Sequence, residues 1–110
     1  MNSTAKFIVI YSFEVKDGFE ETFESAWKQL TLLFRDYAGG LGSRLHKSEG
    51  KLYIAYAQWP NKQSWENGRS KLPESAEKYS IQMREACEEI KTLYQLNVVN
   101  DLLAKQSFEK

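Results

Sequence analysis

Leu41-Gly42-Ser43-Arg44-Leu45-His46-Lys47, then Ser48-Glu49-Gly50-Lys51, then Leu52-Tyr53-Ile54-Ala55-Tyr56-Ala57-Gln58-Trp59-Pro60: reading this stretch decides the architecture of the 110-residue chain. Two runs suited to strands flank a short connector that holds Gly50, the pattern of a β-hairpin. Pro60 stops the second run, because it has no amide to donate to a ladder. Upstream, Gly39-Gly40 end a helix in which Phe23, Ala26, Trp27, Leu30, Leu33, Phe34 and Tyr37 recur at helical spacing. One of the two glycines should supply its left-handed cap. Asp17-Gly18 break the preceding strand, and Asp17 with Glu20 gives a capping-box-like start. That first strand covers residues 6–15. Phe7, Val9, Tyr11, Phe13 and Val15 fall on one of its faces, with Ile8, Ile10, Ser12 and Glu14 on the other. Both faces begin apolar, so the strand should be covered on both sides. Downstream, residues 61–68 read as a short helix carrying Trp65. Pro73 opens a longer helix whose buried stripe is Ala76, Tyr79, Met83, Ala86, Cys87 and Ile90. Residues 93–99 read as a final strand before a polar tail. The order is βαββαβ with one additional short helix, the split βαβ pattern.

Bulk composition narrows the function. The length suits one domain over residues 1–110. Lys+Arg and Asp+Glu both total 15, without long like-charge runs, which argues against nucleic acid or an anionic membrane as partner. Aromatic residues reach 14%. They either fill the core of a small domain or line a cavity or interface. The single Cys87 cannot form an intramolecular disulfide, and the N-terminal stretch reads as a strand rather than a leader. A cytoplasmic protein is the expectation.

If Glu49-Gly50 are the central residues of a tight turn, His46 lies opposite Tyr53, Arg44 opposite Ala55, and Gly42 opposite Ala57. Gly42, Arg44, His46, Tyr53, Ala55, Ala57 and Trp59 then share one face, by the two-residue period of a strand. The other face carries Leu41, Leu45, Leu52, Ile54 and Tyr56, apolar enough for a partner interface. The first face mixes small side chains with a cation, a histidine and large rings. It either packs closely under helices or leaves a pocket with a few placed polar groups. A three-residue loop would shift this register.

The stretch from Gly39 to His46, followed by Tyr56-Ala57-Gln58-Trp59-Pro60 and Trp65, resembles the antibiotic biosynthesis monooxygenase family. Phe7 to Val15, Gly18 and the helix through Trp27 resemble that family's opening. The resemblance implies a ferredoxin-like protomer with an antiparallel sheet, and a homodimer forming a dimeric α+β barrel. It also implies one pocket per protomer between sheet and helices. Members include cofactor-free oxygenases of phenols and quinols, haem-degrading enzymes and proteins without an assigned role. In the cofactor-free branch, the residues matching Trp59 and Trp65 line the pocket. That branch has Asn where this chain has Ala55. The haem-degrading branch has Asn where Tyr11 stands and a His on the later helices, whereas His46 is the single histidine here.

Several residues thus become candidates, each with an alternative. His46 could be a general base or a strand-end histidine in solvent. Arg44 could hold a phenolate or simply face water. Tyr11 could donate a hydrogen bond to substrate or be a packed core tyrosine. Trp59 and Trp65 could stack on a flat aromatic ligand or belong to the core, and Ala55 and Tyr53 would line the same pocket. Cys87 reads as an inert small hydrophobe. Nothing in the pattern calls for a metal or cofactor. Two functions follow: a cofactor-independent monooxygenase acting on a small phenol-like or quinol-like aromatic, and a non-catalytic small-molecule-binding dimer. An RNA-recognition module shares the element order, but residues 52–57 lack its basic-Gly-aromatic signature.

Overall fold

The computed structural model describes residues 6–104. Strand β1 (Phe7–Val15) leads into helix α1 (Glu20–Tyr37) and the hairpin of β2 (Gly42–Lys47) and β3 (Leu52–Trp59). Helix α2 (Lys62–Gly68) follows, then a 3₁₀ turn over Arg69–Lys71, helix α3 (Ala76–Glu85) and strand β4 (Cys87–Asn97). The sheet order is β2-β3-β1-β4, with every pairing antiparallel. This is the ferredoxin-like α+β arrangement that the element order predicts.

β1 is central because both of its faces are apolar. Phe7, Val9, Phe13 and Val15 are buried on the inner face, and Ile8 on the outer. The helices pack against the inner face: α1 through Phe23 and Phe34, α2 through Trp65, and α3 through Met83. α1 buries Phe23, Ala26 and Leu30, whereas Tyr37, expected on the same stripe, is exposed at the helix end. Gly39 takes the left-handed backbone, φ +80°. The expected capping box is not formed. Phe19 holds the N-cap position, and Asp17 instead pairs with Lys51 at 3.3 Å. α2 is capped as its sequence suggests, Asn61 accepting a hydrogen bond from the Ser64 amide at 2.8 Å.

Two expectations are corrected. The β2–β3 connection is a three-residue loop, Glu49-Gly50-Lys51, closed by the Ser48 amide donating to the Leu52 carbonyl at 2.9 Å. Gly50 takes φ +70°, the left-handed conformation that such loops need. The extra residue moves every pairing by one: His46 lies opposite Ile54, Arg44 opposite Tyr56 and Gly42 opposite Gln58. A one-residue shift turns a whole strand over. Ser43 and Leu45 therefore share the inner face with Ala57 and Ala55, while Arg44 and His46 go to the outer face.

The second correction concerns the chain after Pro73. α3 ends at Glu85, and Cys87 and Ile90 belong to β4. Register shifts in β4 pair Val15 with Cys87, Phe13 with Ile90 and Tyr11 with Thr92, leaving Glu88 and Leu93 as the extra residues. Each bulge lengthens the spacing of inward positions from two residues to three. The sequence Met83, Cys87, Ile90 thus imitates a helical stripe although it crosses from helix to strand.

The inner face holds two adjoining clusters. One packs Phe13, Val15, Phe23, Tyr53, Ala55, Ala86 and Cys87. The other gathers Phe7, Val9, Ala38 and Trp59, with Tyr11, Phe34, Ala57 and Trp65 against them. The outer face carries Tyr94 and Leu96, both substantially exposed.

Candidate functional site

The second cluster does not close. Between the inner sheet face and the helices lies a cavity of about 190 Å³. Its walls come from β1 (Tyr11, Phe13), α1 (Trp27, Leu30, Thr31, Phe34, Arg35), the β2 edge (Gly40, Gly42, Ser43) and the end of β3 (Ala57, Gln58, Trp59). Trp65, Arg69, Met83 and Ile90 complete them. The void follows from residue size: Ala57 and Ser43 pair across the hairpin at the same inner-face position, and Gly40 and Gly42 adjoin them.

Rings frame the space. Phe34 meets Trp59 edge-on, with centroids 5.6 Å apart and an interplanar angle of 78°. Trp65 lies 5.7 Å from Phe7. Trp59 is wedged in place. A Cβ built on Gly68 would stand 2.8 Å from Trp59 Cη2, so glycine is required there by close approach. Trp65 Nε1–H donates to the Tyr11 hydroxyl at 2.8 Å. Burial raises the Tyr11 pKa above its ordinary value, while the Trp65 hydrogen bond and the Arg69 charge pull it back in part. Tyr11 is therefore a neutral phenol near pH 7. The bulge at Leu93 falls directly beside it in the sheet, and bulges commonly re-aim neighbouring side chains.

The structure brings together only some of the residues proposed from sequence. Tyr11, Trp59 and Trp65 line the cavity. Tyr53 and Ala55 sit in the packed cluster, at 2% and 1% exposure, and Tyr53 donates to Glu24 Oε2 at 2.8 Å. Ala55 is thus close packing, whereas Ala57 and Gly42 border the void. Arg44 and His46 are exposed on the outer face, where His46 Nδ1 lies 3.1 Å from the Ile54 carbonyl. Their placement reflects the three-residue loop.

Arg69 was missed by sequence reasoning. It follows Trp65 by four residues, a spacing that puts both on one side of a helical turn, and that signal was available. Its guanidinium lies 5.9 Å from the centre of the Phe34 ring, and Nη1 reaches Ser80 Oγ at 3.4 Å. Arg35, in the last turn of α1, is the other cation at the cavity. Among the described residues, no Asp, Glu or His lines it. Among the described residues, no cluster of three His, Cys, Asp or Glu could hold a metal, and no helix is long and apolar enough to cross a membrane. Burial pushes the Cys87 thiol up to about 11, with Lys16 acting weakly the other way.

With this geometry in place, comparison with known proteins is informative. The profile of one family, antibiotic biosynthesis monooxygenase, matches residues 6–71. The chain belongs to the antibiotic biosynthesis monooxygenase family. The match runs from β1 through the 3₁₀ turn that carries Arg69, so it includes most of the cavity's wall. No curated protein is significantly similar in sequence. Among solved structures, one from Bordetella bronchiseptica assigned to this family has TM-score 0.72 at 21% identity, covering 87% of this chain and 99% of its own. SnoaB, a cofactor-independent oxygenase from Streptomyces nogalater, has TM-score 0.69 at 15% identity, covering 89% and 97%. A Caulobacter crescentus protein assigned to the family has TM-score 0.72 at 13% identity, covering 88% and 92%. These likenesses establish a shared fold.

Proposed function

We propose that this chain is a cofactor-independent oxygenase that binds a small, electron-rich phenol or quinol in the cavity beneath Trp59 and Trp65. The observation that carries this reading is the Tyr11–Trp65 pair. Tyr11 accepts the indole N–H, and among the described residues nothing accepts its own hydroxyl proton. A mainly apolar, ring-lined space with a few polar side chains thus offers an oriented hydroxyl donor to an oxygen on the ligand, the composition typical of small-molecule sites. An ionised phenol can pass an electron to dioxygen directly. Conversion of a phenol to a quinone consumes one O2, inserts one oxygen atom and releases the other as water, so the balance needs no separate reductant. The protein's part is to orient the ring, exclude water and hold the oxygen that bears charge. Among the described residues no Asp, Glu or His stands in the cavity wall, so the substrate of this reading enters already ionised.

The family resemblance extends the proposal to a homodimer through the outer sheet face, where Tyr94 and Leu96 are exposed beside Ile8 and Ile10. Sedimentation as a monomer at micromolar concentration rules that part out.

A second reading is a binding protein that does not turn its ligand over. It is favoured by Ala55, which stands where the resemblance puts the polar Asn of the cofactor-free branch. One experiment separates the two. The protein is screened by thermal unfolding against phenols and quinols, and every binder is followed by oxygen uptake. A ligand at about 100 times its Kd stabilises by about 2.7 kcal/mol, and each kcal/mol raises the midpoint of a small domain by roughly 4–8 °C. Stabilisation that is lost in Trp59→Ala, with oxygen consumption abolished in Tyr11→Phe, supports the oxygenase. Stabilisation without oxygen uptake supports the binder. No stabilisation by any aromatic compound removes both.

A further inference from the structure

The charged groups at the cavity form a one-sided set, beside the neutral polar side chains Thr31, Ser43 and Gln58. Arg35 and Arg69 both reach the cavity, and among the described residues nothing accepts the Tyr11 hydroxyl proton and no carboxylate lines the space. Ion pairs among the described residues join Lys51 to Asp17 and Lys91 to Glu89, so neither arginine is neutralised by an acidic side chain there. Arg69 is held in position: its guanidinium lies over the Phe34 ring and its Nη1 touches Ser80 Oγ, a side chain buried to 7% exposure. Its charge is felt at the Tyr11 phenol, where it opposes the effect of burial. A guanidinium donates hydrogen bonds and accepts none, so an arginine without an acidic partner beside a donor hydroxyl is matched by an acceptor that carries charge.

We propose that the ligand of this cavity is an aromatic compound bearing an anionic oxygen group, and that Arg69 with Tyr11 recognises that group. The inference rests on the cavity being the binding site of the preceding reading, and it narrows the substrate class. Size narrows it further. An apolar cavity of about 150 Å³ accommodates benzene, so about 190 Å³ is room for one substituted ring. The anion is a carboxylate on the ring or a phenol ionised at neutral pH, since the recognition chemistry is the same.

The test uses matched pairs. Binding of 4-hydroxybenzoate and 4-hydroxybenzamide is measured by calorimetry on the wild-type chain and on Arg69→Gln, Arg69→Lys, Arg35→Gln and Trp59→Ala. 4-Nitrophenol, measured on either side of its own ionisation, separates a phenolate from a carboxylate. Circular dichroism and the unfolding midpoint of each variant establish that it folds. The expected result is that the ionised member binds about ten-fold to a hundred-fold more tightly, as charge-assisted hydrogen bonds provide. Arg69→Gln should abolish that preference, Arg69→Lys should keep part of it, and Trp59→Ala should weaken both members alike. Equal binding of the ionised and neutral members, lost in Trp59→Ala, overturns this inference and leaves the oxygenase reading intact. A preference that survives Arg69→Gln and disappears in Arg35→Gln overturns the assignment to Arg69. If no member of any pair binds, the cavity reading falls along with this one.

Discussion

Tyr11 and Tyr53 stand on the same face of the same sheet, one pairing step apart, and their hydroxyls meet opposite fates. Tyr53 lies opposite Phe13, among rings whose centroids are 4.9 Å from Phe23 on two sides, and its proton goes to Glu24. Tyr11 lies opposite Ala55, accepts from Trp65 and keeps its proton uncommitted. At the Tyr53 end, helix α1 brings Phe23 into the sheet and the space is filled. At the Tyr11 end, the next inner-face pair along the hairpin is Ala57 with Ser43, and a cavity remains. Tyr53 is fully buried and Tyr11 partly so, and residue identity alone does not decide whether such a tyrosine is structural or available. The decision lies in what opposes it across the sheet and whether its donor is already used.

The largest effect expected from this contrast is in stability. Phe23→Ala removes a fully buried ring from the filled end and should cost about 3–5 kcal/mol, whereas Phe34→Ala, beside an existing void, should cost clearly less. Urea unfolding of the two variants checks this, and equal losses would break the distinction between a packed and a hollow end. Gly68→Ala should come next. Alanine gains up to about 1 kcal/mol in helix propensity over glycine. The Cβ meets the Trp59 ring at 2.8 Å, however, and overpacking typically costs about 1–3 kcal/mol. The clash is expected to win, lowering the unfolding midpoint and shifting tryptophan fluorescence as Trp59 moves into the cavity.

The tyrosine pair sharpens the comparison. Tyr11→Phe leaves the Trp65 N–H without its acceptor, a loss of about 1–3 kcal/mol, and should weaken ligand binding about ten-fold to a hundred-fold. Tyr53→Phe should cost only about 0.5–1.5 kcal/mol, because Glu24 is exposed and returns to water, and it should leave binding unchanged. Equal effects on ligand affinity would show that the two hydroxyls are not functionally distinct. The smallest signal is alkaline. Burial first, then the Glu24 hydrogen bond and the Glu24 and Glu20 charges, push Tyr53 up to about 12. The folded state holds this proton more tightly than the unfolded chain, so the group's stabilising contribution is complete below pH 10 and is lost as pH rises through 12. Tyrosinate absorbance in Tyr53→Phe should lack the latest-titrating phenol of the wild-type chain.

Much of the fold was legible because it depends on short-range periodicity. Phe7 through Val15 alternate, Phe23 through Phe34 follow a helical stripe, and Gly39 and Pro60 mark real ends. The candidate site was legible only where it depended on the same signals: Tyr11 on the alternating face, Trp59 at a strand end and Trp65 on a capped helix. Sequence alone puts His46 and Arg44 on the wrong face because side-chain direction depends on whether the loop length is odd or even, and Ser48-Glu49-Gly50-Lys51 accommodates either turn. Cys87 and Ile90 imitate a helical stripe because the bulge at Glu88 sets these two inward residues three apart.

The order of elements, the amphipathic face of α1 and the two-sided burial of β1 were determined by the sequence alone, since each is carried by residues adjacent along the chain. Tertiary structure alone decided which face of β2 looks inward, that Arg69 lies over the Phe34 ring, and which of two inner-face tyrosines keeps a free proton. Each of these turns on groups far apart in sequence, such as Tyr11 and Trp65 or Tyr53 and Glu24, whose meeting is set by register and packing.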